Sequence, residues 1–491
     1  MKDKLNHHIS IMGDSHFWWR IMPFIGTLIW AGLCISNNLW YDEAYSAALI
    51  THSFQEVVEI TAADAHSPFY YVPLKIVYHL FGGGVDFWPL KMFSLLFMCG
   101  YLFLGKYYVK KLFDEKISLY FMFFSITMPI MSVQAGNVRM YAMSLFFMTL
   151  MGLSAYDIYK SDLNGQKKPR LKWLIFSISS IATVYCHTFS MIQAFFIYVI
   201  FLLLLLCQKN YNKLKGVLIS GVVVAVIYFP WLLVTYTQIT DRAAGNNTAQ
   251  VPTIYSFMDY CMEWFSALES PIGIVVFVGM GIAAILLYSG IRWMRCNKNY
   301  VAGIGMTVMA LTTITGVIVS LYITPCFLGR YIFSGFGALA LLYAIGMCRI
   351  PYGKLKVVIA LAALFCFVIQ YRSEWKLEYH KGLEEYHEFY AAQVNENDCF
   401  MGPSEHTLML SVYYPEHHYF LYGHLPERSP FQNTEAFTRW EQLEEETGTI
   451  WYICFAQDSP YLLGEYYDYE EAFSFSYMYY DFIIYRLLPK S

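Results

Sequence analysis

The chain has 491 residues, 57% of them hydrophobic and 14% charged, where soluble domains carry roughly 25% charged residues. That composition excludes an ordinary soluble protein. The formal net charge of −4 gives no electrostatic ground for nucleic-acid binding, and eleven scattered cysteines without a CxxC pair argue against a zinc site or a disulfide framework.

The polar start, MKDKLNHHIS, precedes a long apolar run without an A-x-A cleavage site, so the run is read as a retained helix and not as a signal peptide. A spanning helix needs about 20 mostly apolar residues. The blocks that qualify are Phe17–Ile35, Phe87–Val109, Ser118–Gln134, Tyr141–Tyr159, Trp173–His187, Phe189–Cys207, Val217–Thr235, Pro271–Ile291, Val301–Tyr322, Tyr331–Met347 and Val357–Tyr371. The fold class expected is a polytopic α-helical membrane protein with about eleven transmembrane helices and a small C-terminal α/β extracytoplasmic domain. Residues 1–371 would form the membrane domain and 372–491 the soluble one.

The loops alternate in charge. One set holds Lys2 and Lys4, then Lys106, Lys110, Lys111 and Lys116, then Lys160 through Lys172, Lys209 through Lys215, Arg292 through Lys298, and Arg349 through Lys356; the other holds little besides Lys75, Arg139, Arg242 and Arg330. The positive-inside rule assigns the first set to the cytoplasm. The N-terminus is then inside and the tail from Arg372 outside the cytoplasmic membrane.

The first outer loop, 36–86, is long, and long ordered loops usually carry function. Pro68–Phe81 is too short to span and has an amphipathic face (Tyr70, Leu74, Val77, Phe81); it is expected to be an interfacial helix, as is Glu43–Ile60. Ile239–Thr253, with Gly245, Asn246 and Asn247, reads as an outer loop. In the tail, His380–Val394 and Thr434–Glu446 read as helices, and Asp398–Met401, His418–Leu421, Thr449–Phe455 and Phe482–Leu487 as strands of a mixed sheet. Cys399 and Cys454 are the two cysteines of the tail, paired or free.

Ionisable residues gather at the outer ends of the spans. Asp42-Glu43 follows the first span, and Asp42 suits a helix N-cap with Glu43 in the first turn. A carboxylate so held also suits a general base. Asp64-Ala65-His66-Ser67-Pro68 reads as a helix start with Ser67 capping and Pro68 at the first position; Asp64 and His66 add an acid and an imidazole. Arg139 and Arg330 stand at helix ends, where cations often snorkel but where the planar guanidinium also suits phosphate. His187 lies at the end of the fifth block.

In this order, WYDEAYSAAL, DAHSPFYYVPLKIVYHLFG, RMYAMSLFF, YCHTF and GRYIF resemble the GT-C superfamily of membrane glycosyltransferases. The branch is the bacterial one of family 39-like members, related to protein O-mannosyltransferases and lipid A aminoarabinose transferases. The resemblance covers Phe17 to about Met347, and the tail is similar in size and type to the outer domain of such members. It departs at Ser67, where relatives have the first proline of a His-Pro-Pro core, and at Asn137, where many have an acid.

The resemblance implies a polyprenyl-phosphate sugar as donor, a glycan, lipid or protein as outer acceptor, and a catalytic acid at Asp42. Membrane lipids are the other partners. Chemically, Asp42 would take the acceptor's proton, with Glu43 orienting it or coupling to it. Arg139, Arg330 and His187 would hold the donor phosphate. Asp64, His66 and Tyr141 would assist the acceptor or a metal; no cofactor is called for, though a divalent cation at Asp64 or His66 fits. One base and direct displacement imply inversion. The competing class is a transporter or flippase of a lipid-linked or glycan substrate. Transporters place ionisable groups near the midplane, whereas Val217–Thr235 and Val301–Tyr322 carry none.

Overall fold

Inside a hydrocarbon layer every backbone N–H and C=O must bond within its own segment, so the apolar blocks fold as helices. The computed structural model describes residues 15–161, 169–243, 251–265, 273–297, 299–422, 428–444, 446–458 and 466–490. Lys2, Lys4, Lys167, Lys168, Gly245, Asn246, Asn247, Pro271 and Lys298 lie outside them.

In chain order the helices are α1 (Ser15–Cys34), α2 (Tyr41–Leu49), α3 (Phe54–Ala63), α4 (Pro68–Leu80), α5 (Trp88–Leu112), α6 (Glu115–Thr127), α7 (Pro129–Gly136) and α8 (Tyr141–Lys160). They continue with α9 (Pro169–Cys186), α10 (Thr188–Cys207), α11 (Tyr211–Ala243), α12 (Ile254–Glu263), α13 (Gly273–Asn297), α14 (Val301–Tyr322), α15 (Phe336–Arg349), α16 (Gly353–Glu378), α17 (Gly382–Gln393) and the short α18 (Glu441–Glu444). Among the described residues nine helical stretches are long and apolar enough to cross a membrane, and ten if α6 and α7 count as one. The protein is a multi-pass membrane protein.

The block Ser118–Gln134 is the bent pair. Its halves meet at 72° because Met128 is extended (φ −67°, ψ 124°) ahead of Pro129, the conformation proline imposes on its predecessor. The block Trp173–His187 is α9, which is not among those nine stretches. Its serines are absorbed locally: Ser179 and Ser180 donate to the carbonyls of Ile175 and Phe176, both at 2.7 Å, and Ser177 meets Ser220 at 2.8 Å. Helices α13 and α15 approach closely at Gly346, where a Cβ would lie 2.3 Å from the Leu286 carbonyl oxygen. Small residues permit such contacts in membranes.

The chain divides into two compact units. One comprises Met1–Cys34, Ala65–Tyr70 and Met92–Glu374; the other comprises Ile35–Asp64, Tyr71–Lys91 and Trp375–Ser491. The second unit therefore unites most of residues 36–86 with the tail. Its sheet has the order β3-β2-β1-β4-β6-β5, with β1 (Cys399–Gly402), β2 (His418–Leu421), β3 (Thr434–Ala436), β4 (Ile450–Phe455), β5 (Tyr467–Tyr477) and β6 (Tyr480–Pro489). The first four strands are parallel to one another, and β6 runs antiparallel to β4 and β5. Helix α17 covers one face, with Phe389 stacked on Phe473 at 5.0 Å. Cys399 and Cys454 are buried free thiols.

Four local expectations are corrected. Glu43–Ile60 is two helices, because Ser53 and Glu56 form a capping box that starts α3. Asp42 is not the N-cap of α2: Trp40 takes that place, and the Glu43 carboxylate accepts its N–H at 3.2 Å. Ile239–Thr253 does not start as a loop, since α11 runs on to Ala243. Thr434–Glu446 is not one helix: Thr434–Ala436 pairs with Tyr419–Leu421 as a strand, sheet pairing overriding helical spacing.

Asp398 ties the parallel strands together at their starts. It is 4% exposed, and its carboxylate accepts from Asn395 N–H at 2.9 Å, Thr449 N–H at 2.8 Å and Trp451 Nε1 at 3.0 Å. Removing it strands buried donors, which costs about 1–3 kcal/mol each. Asp398→Ala is expected to lower stability by at least that much, read as a lower denaturation midpoint of the tail's tryptophan fluorescence; an unchanged midpoint contradicts this role.

Candidate active site

In the second unit the segment after α1 enters α2 at Trp40. Glu43, 1% exposed, closes the first turn and lies 4.0 Å from the Lys91 ammonium. Lys91 is fully buried and also pairs with Glu378. Both neighbours of Asp42 are thus fixed, Glu43 by Lys91 and Tyr41 by the tail. Tyr41 donates its hydroxyl to Glu405 at 2.9 Å and stacks on His406 with ring centroids 4.1 Å apart. Glu405 and His406 follow β1, at the carboxyl end of a parallel strand, where open α/β sheets commonly place ligands.

Asp42 is half-buried, and its backbone carbonyl accepts from the Ser46 hydroxyl at 2.9 Å. Burial first, then the charges of Glu405, Asp42 and Asp64, hold the Tyr41 phenol far above its ordinary pKa. The same three carboxylates therefore act on one side chain. His406 reaches solvent along one edge; desolvation of the rest lowers its pKa, and the Asp42 charge opposes that shift. Asp64 terminates α3 in an extended conformation. Lys75 is structural: its ammonium binds the carbonyls of Ile50 and His52 at 2.8 and 2.5 Å, closing the end of α2.

In the first unit Ser67 accepts the Phe69 N–H at 3.3 Å, starting α4 at Pro68. The Tyr70 hydroxyl meets Ser94 at 3.0 Å, and Ser94 donates to the Asn137 carbonyl at 2.7 Å. These bonds hold the turn between α7 and α8 that carries Arg139. Arg139 is 4% exposed, and its Nη2 lies 2.8 Å from His66 Nε2. Arginine only donates, so Nε2 accepts and the neutral imidazole carries its proton on Nδ1. His187 is the N-cap of α10, accepting the Phe189 N–H on Nδ1 at 3.2 Å. His66, Arg139 and Arg330 all act electrostatically on the His187 ring. Tyr141, 3% exposed, begins α8 with its ring 5.9 Å from that of His187.

Arg330 sits in the 3-10 turn Gly329–Gly335 that leads into α15. A Cβ at Gly329 would lie 2.8 Å from a Glu263 carboxylate oxygen and from Tyr260 Cβ, so the backbone approaches α12 there as only glycine can. Burial raises the Glu263 pKa and the Arg330 charge opposes it.

All eight residues singled out in the sequence fall into two sets. Asp42, Glu43 and Asp64 belong to the second unit, with Tyr41, Lys91, Glu405 and His406 added by the fold. His66, Arg139, Tyr141, His187 and Arg330 belong to the first. Among the described residues no group of three or more His, Cys, Asp or Glu side chains could hold a metal ion. Asp64 and His66 belong to no such group.

The chain matches no protein-family model and no curated protein sequence. Solved structures do resemble it. The apo crystal structure of ArnT from Cupriavidus metallidurans superposes with a TM-score of 0.68 at 12% identity, covering 96% of this chain and 98% of that one. ArnT bound to undecaprenyl phosphate gives 0.66 at 12% identity, over 95% and 98%. The oligosaccharyltransferase AglB from Archaeoglobus fulgidus gives 0.44 at 13% identity, over 87% and 61%. The fold is that of ArnT along nearly the whole of both chains.

Proposed function

We propose that the protein is a glycosyltransferase that moves a sugar from a polyprenyl-phosphate donor to a glycan, lipid or protein acceptor outside the cytoplasmic membrane. The observation that carries this reading is the gathering of Arg139, Arg330, His66 and His187 at helix ends of an apolar bundle with the fold of a protein crystallised with undecaprenyl phosphate. Two guanidiniums and two imidazoles suit a phosphate headgroup, and the surrounding spans suit its hydrocarbon chain.

Electron pairs move in one direction. The acceptor oxygen attacks the anomeric carbon from the face opposite the phosphate and forms the new glycosidic bond. The bond from that carbon to the phosphate oxygen breaks, and its electron pair stays on the phosphate. The acceptor's proton passes to Asp42. A phosphate leaves as a stable anion, so no strong general acid is needed. Charge accumulates on it in the transition state, where fixed donors of the Arg139 and Arg330 type act. Glu43 is held by Lys91 and the Trp40 N–H, and the proton is assigned to its neighbour Asp42, which is half-buried at the start of the same helix. A single displacement inverts the anomeric configuration; retention through a covalent intermediate would need a nucleophilic carboxylate as well.

Asp42→Asn is expected to fold and to lower turnover by about 10²- to 10⁴-fold, the usual worth of a general base, measured with purified protein and a polyprenyl-phosphate sugar. Undiminished transfer removes Asp42 from this role. Arg330→Ala is expected to weaken donor use, and unchanged donor KM and kcat reduce Arg330 to a membrane anchor. Asp42→Asn also removes the charge that opposes the desolvation of His406, so the His406 imidazole should titrate at lower pH by NMR; an unmoved titration contradicts the proximity of the two groups.

A further inference from the structure

Away from Arg139, the far half of α8 borders a cavity of about 360 Å³. Along the helix it runs from Thr149 to Lys160, roughly 17 Å at 1.5 Å per residue. Its walls are apolar faces of α8, α10, α14 and α15, such as Leu153, Phe201, Ile304 and Leu341. At one end the lining is exposed and amphipathic: Lys160, Asn297 and Tyr300. Among the described residues Lys160 is the one cation of the lining, and no carboxylate lines it. A second cation, Lys213, binds the backbone carbonyl of the lining residue Tyr159 at 2.8 Å. At the other end are Gln193, fully buried, and Thr149, 9% exposed. The Gln193 Oε1 and Thr149 Oγ1 have no hydrogen-bond partner among the described residues.

Native cores rarely leave such atoms unsatisfied. Water at the polar floor of the space meets such atoms, and the apolar walls beyond it leave room for a hydrophobic occupant. We infer that the cavity is a binding site for one acyl chain of an anionic phospholipid, whose phosphate lies at Lys160. Apolar walls of this length fit a hydrocarbon chain. A mouth with a cation and no acid fits an anionic headgroup, the arrangement by which basic pockets between membrane helices select such lipids. On the orientation proposed above the mouth opens to the cytoplasmic leaflet; the site itself requires only that it opens to a leaflet.

Gly152 lines the cavity, and a Cβ there meets nothing within 4 Å, so this position can be filled without a backbone clash. The full-length protein, purified from membranes, is examined by native mass spectrometry after exchange into vesicles of phosphatidylglycerol or of phosphatidylcholine. The wild type and Gly152→Ala are expected to retain one phosphatidylglycerol and no phosphatidylcholine. Gly152→Phe is expected to lose the bound lipid, and Lys160→Gln, at the exposed mouth, to lose the preference between the two. Retention of phosphatidylglycerol by a folded Gly152→Phe overturns the inference. So does equal retention of the zwitterionic lipid by the wild type, or retention of a polyprenyl phosphate that Gly152→Phe abolishes, which would make the cavity a donor-tail site. If Gly152→Phe does not fold, Lys160→Gln decides alone: an undiminished preference overturns the inference. The readout is lipid retention and not sugar transfer, so its failure leaves the transferase reading intact.

Discussion

A lysine without exposure to water sits between two carboxylates, and the base proposed for this protein depends on it. Lys91 pairs with Glu378 and lies 4.0 Å from Glu43. A buried ammonium is tolerated only when it is paired and bonded, and removing one partner of such a set costs about 3–5 kcal/mol. Glu43 is thereby held at the first turn of α2, and its carboxylate also closes the Trp40 N–H. Asp42, between Glu43 and the clamped Tyr41, has its backbone set from both sides. A catalytic group needs such preorganisation, because small misplacements cost large factors in rate. Glu43 is thus the carboxylate that positions Asp42.

The membrane unit solves a different problem. Cations are costly among apolar helices, and here they collect at helix ends, on turns fixed by local chemistry. Met128-Pro129 bends the third apolar block, and the turn after α7 is tied by Ser94 to Asn137. Arg139 then meets His66, and His187 caps α10 within reach of both arginines' fields. The bundle supplies a low-dielectric wall in which such charges act strongly on a phosphate. Under the proposed function, a lipid-linked donor would diffuse in the same layer that holds these cations.

Much of this was legible before any coordinates. Apolar length located the spans, and strand and helix patterns located most of the tail. Asp42, Arg139, His187 and Arg330 stood out because ionisable residues are scarce at the ends of apolar blocks. What escaped notice depends on long-range pairing. Lys91 hides in WPLKMFS as an ordinary interfacial lysine; only the fold shows that Glu43 and Glu378 meet there. Glu405 and His406 open a 3-10 helix, Glu405–Tyr413, more than 360 residues beyond Tyr41, and the one available hint was their place just after a strand. β5 was missed because its exposed acids mask the alternation of Phe473, Phe475 and Tyr477, whose rings face the sheet core. The opposite error, a helix at Thr434–Glu446, arose because a three-residue edge strand has too little sequence to announce itself.

The central claim is that a sugar–phosphate bond is broken, as opposed to an intact lipid-linked sugar being moved across the bilayer. The most direct measurement incubates the purified protein, reconstituted in vesicles, with an isotope-labelled polyprenyl-phosphate sugar and an extract of membrane glycans, lipids and proteins, and follows both halves of the donor. A transferase of this kind yields free polyprenyl phosphate together with labelled sugar joined to an acceptor in inverted configuration. Appearance of the intact donor in the opposite leaflet, with no polyprenyl phosphate released, would contradict the claim.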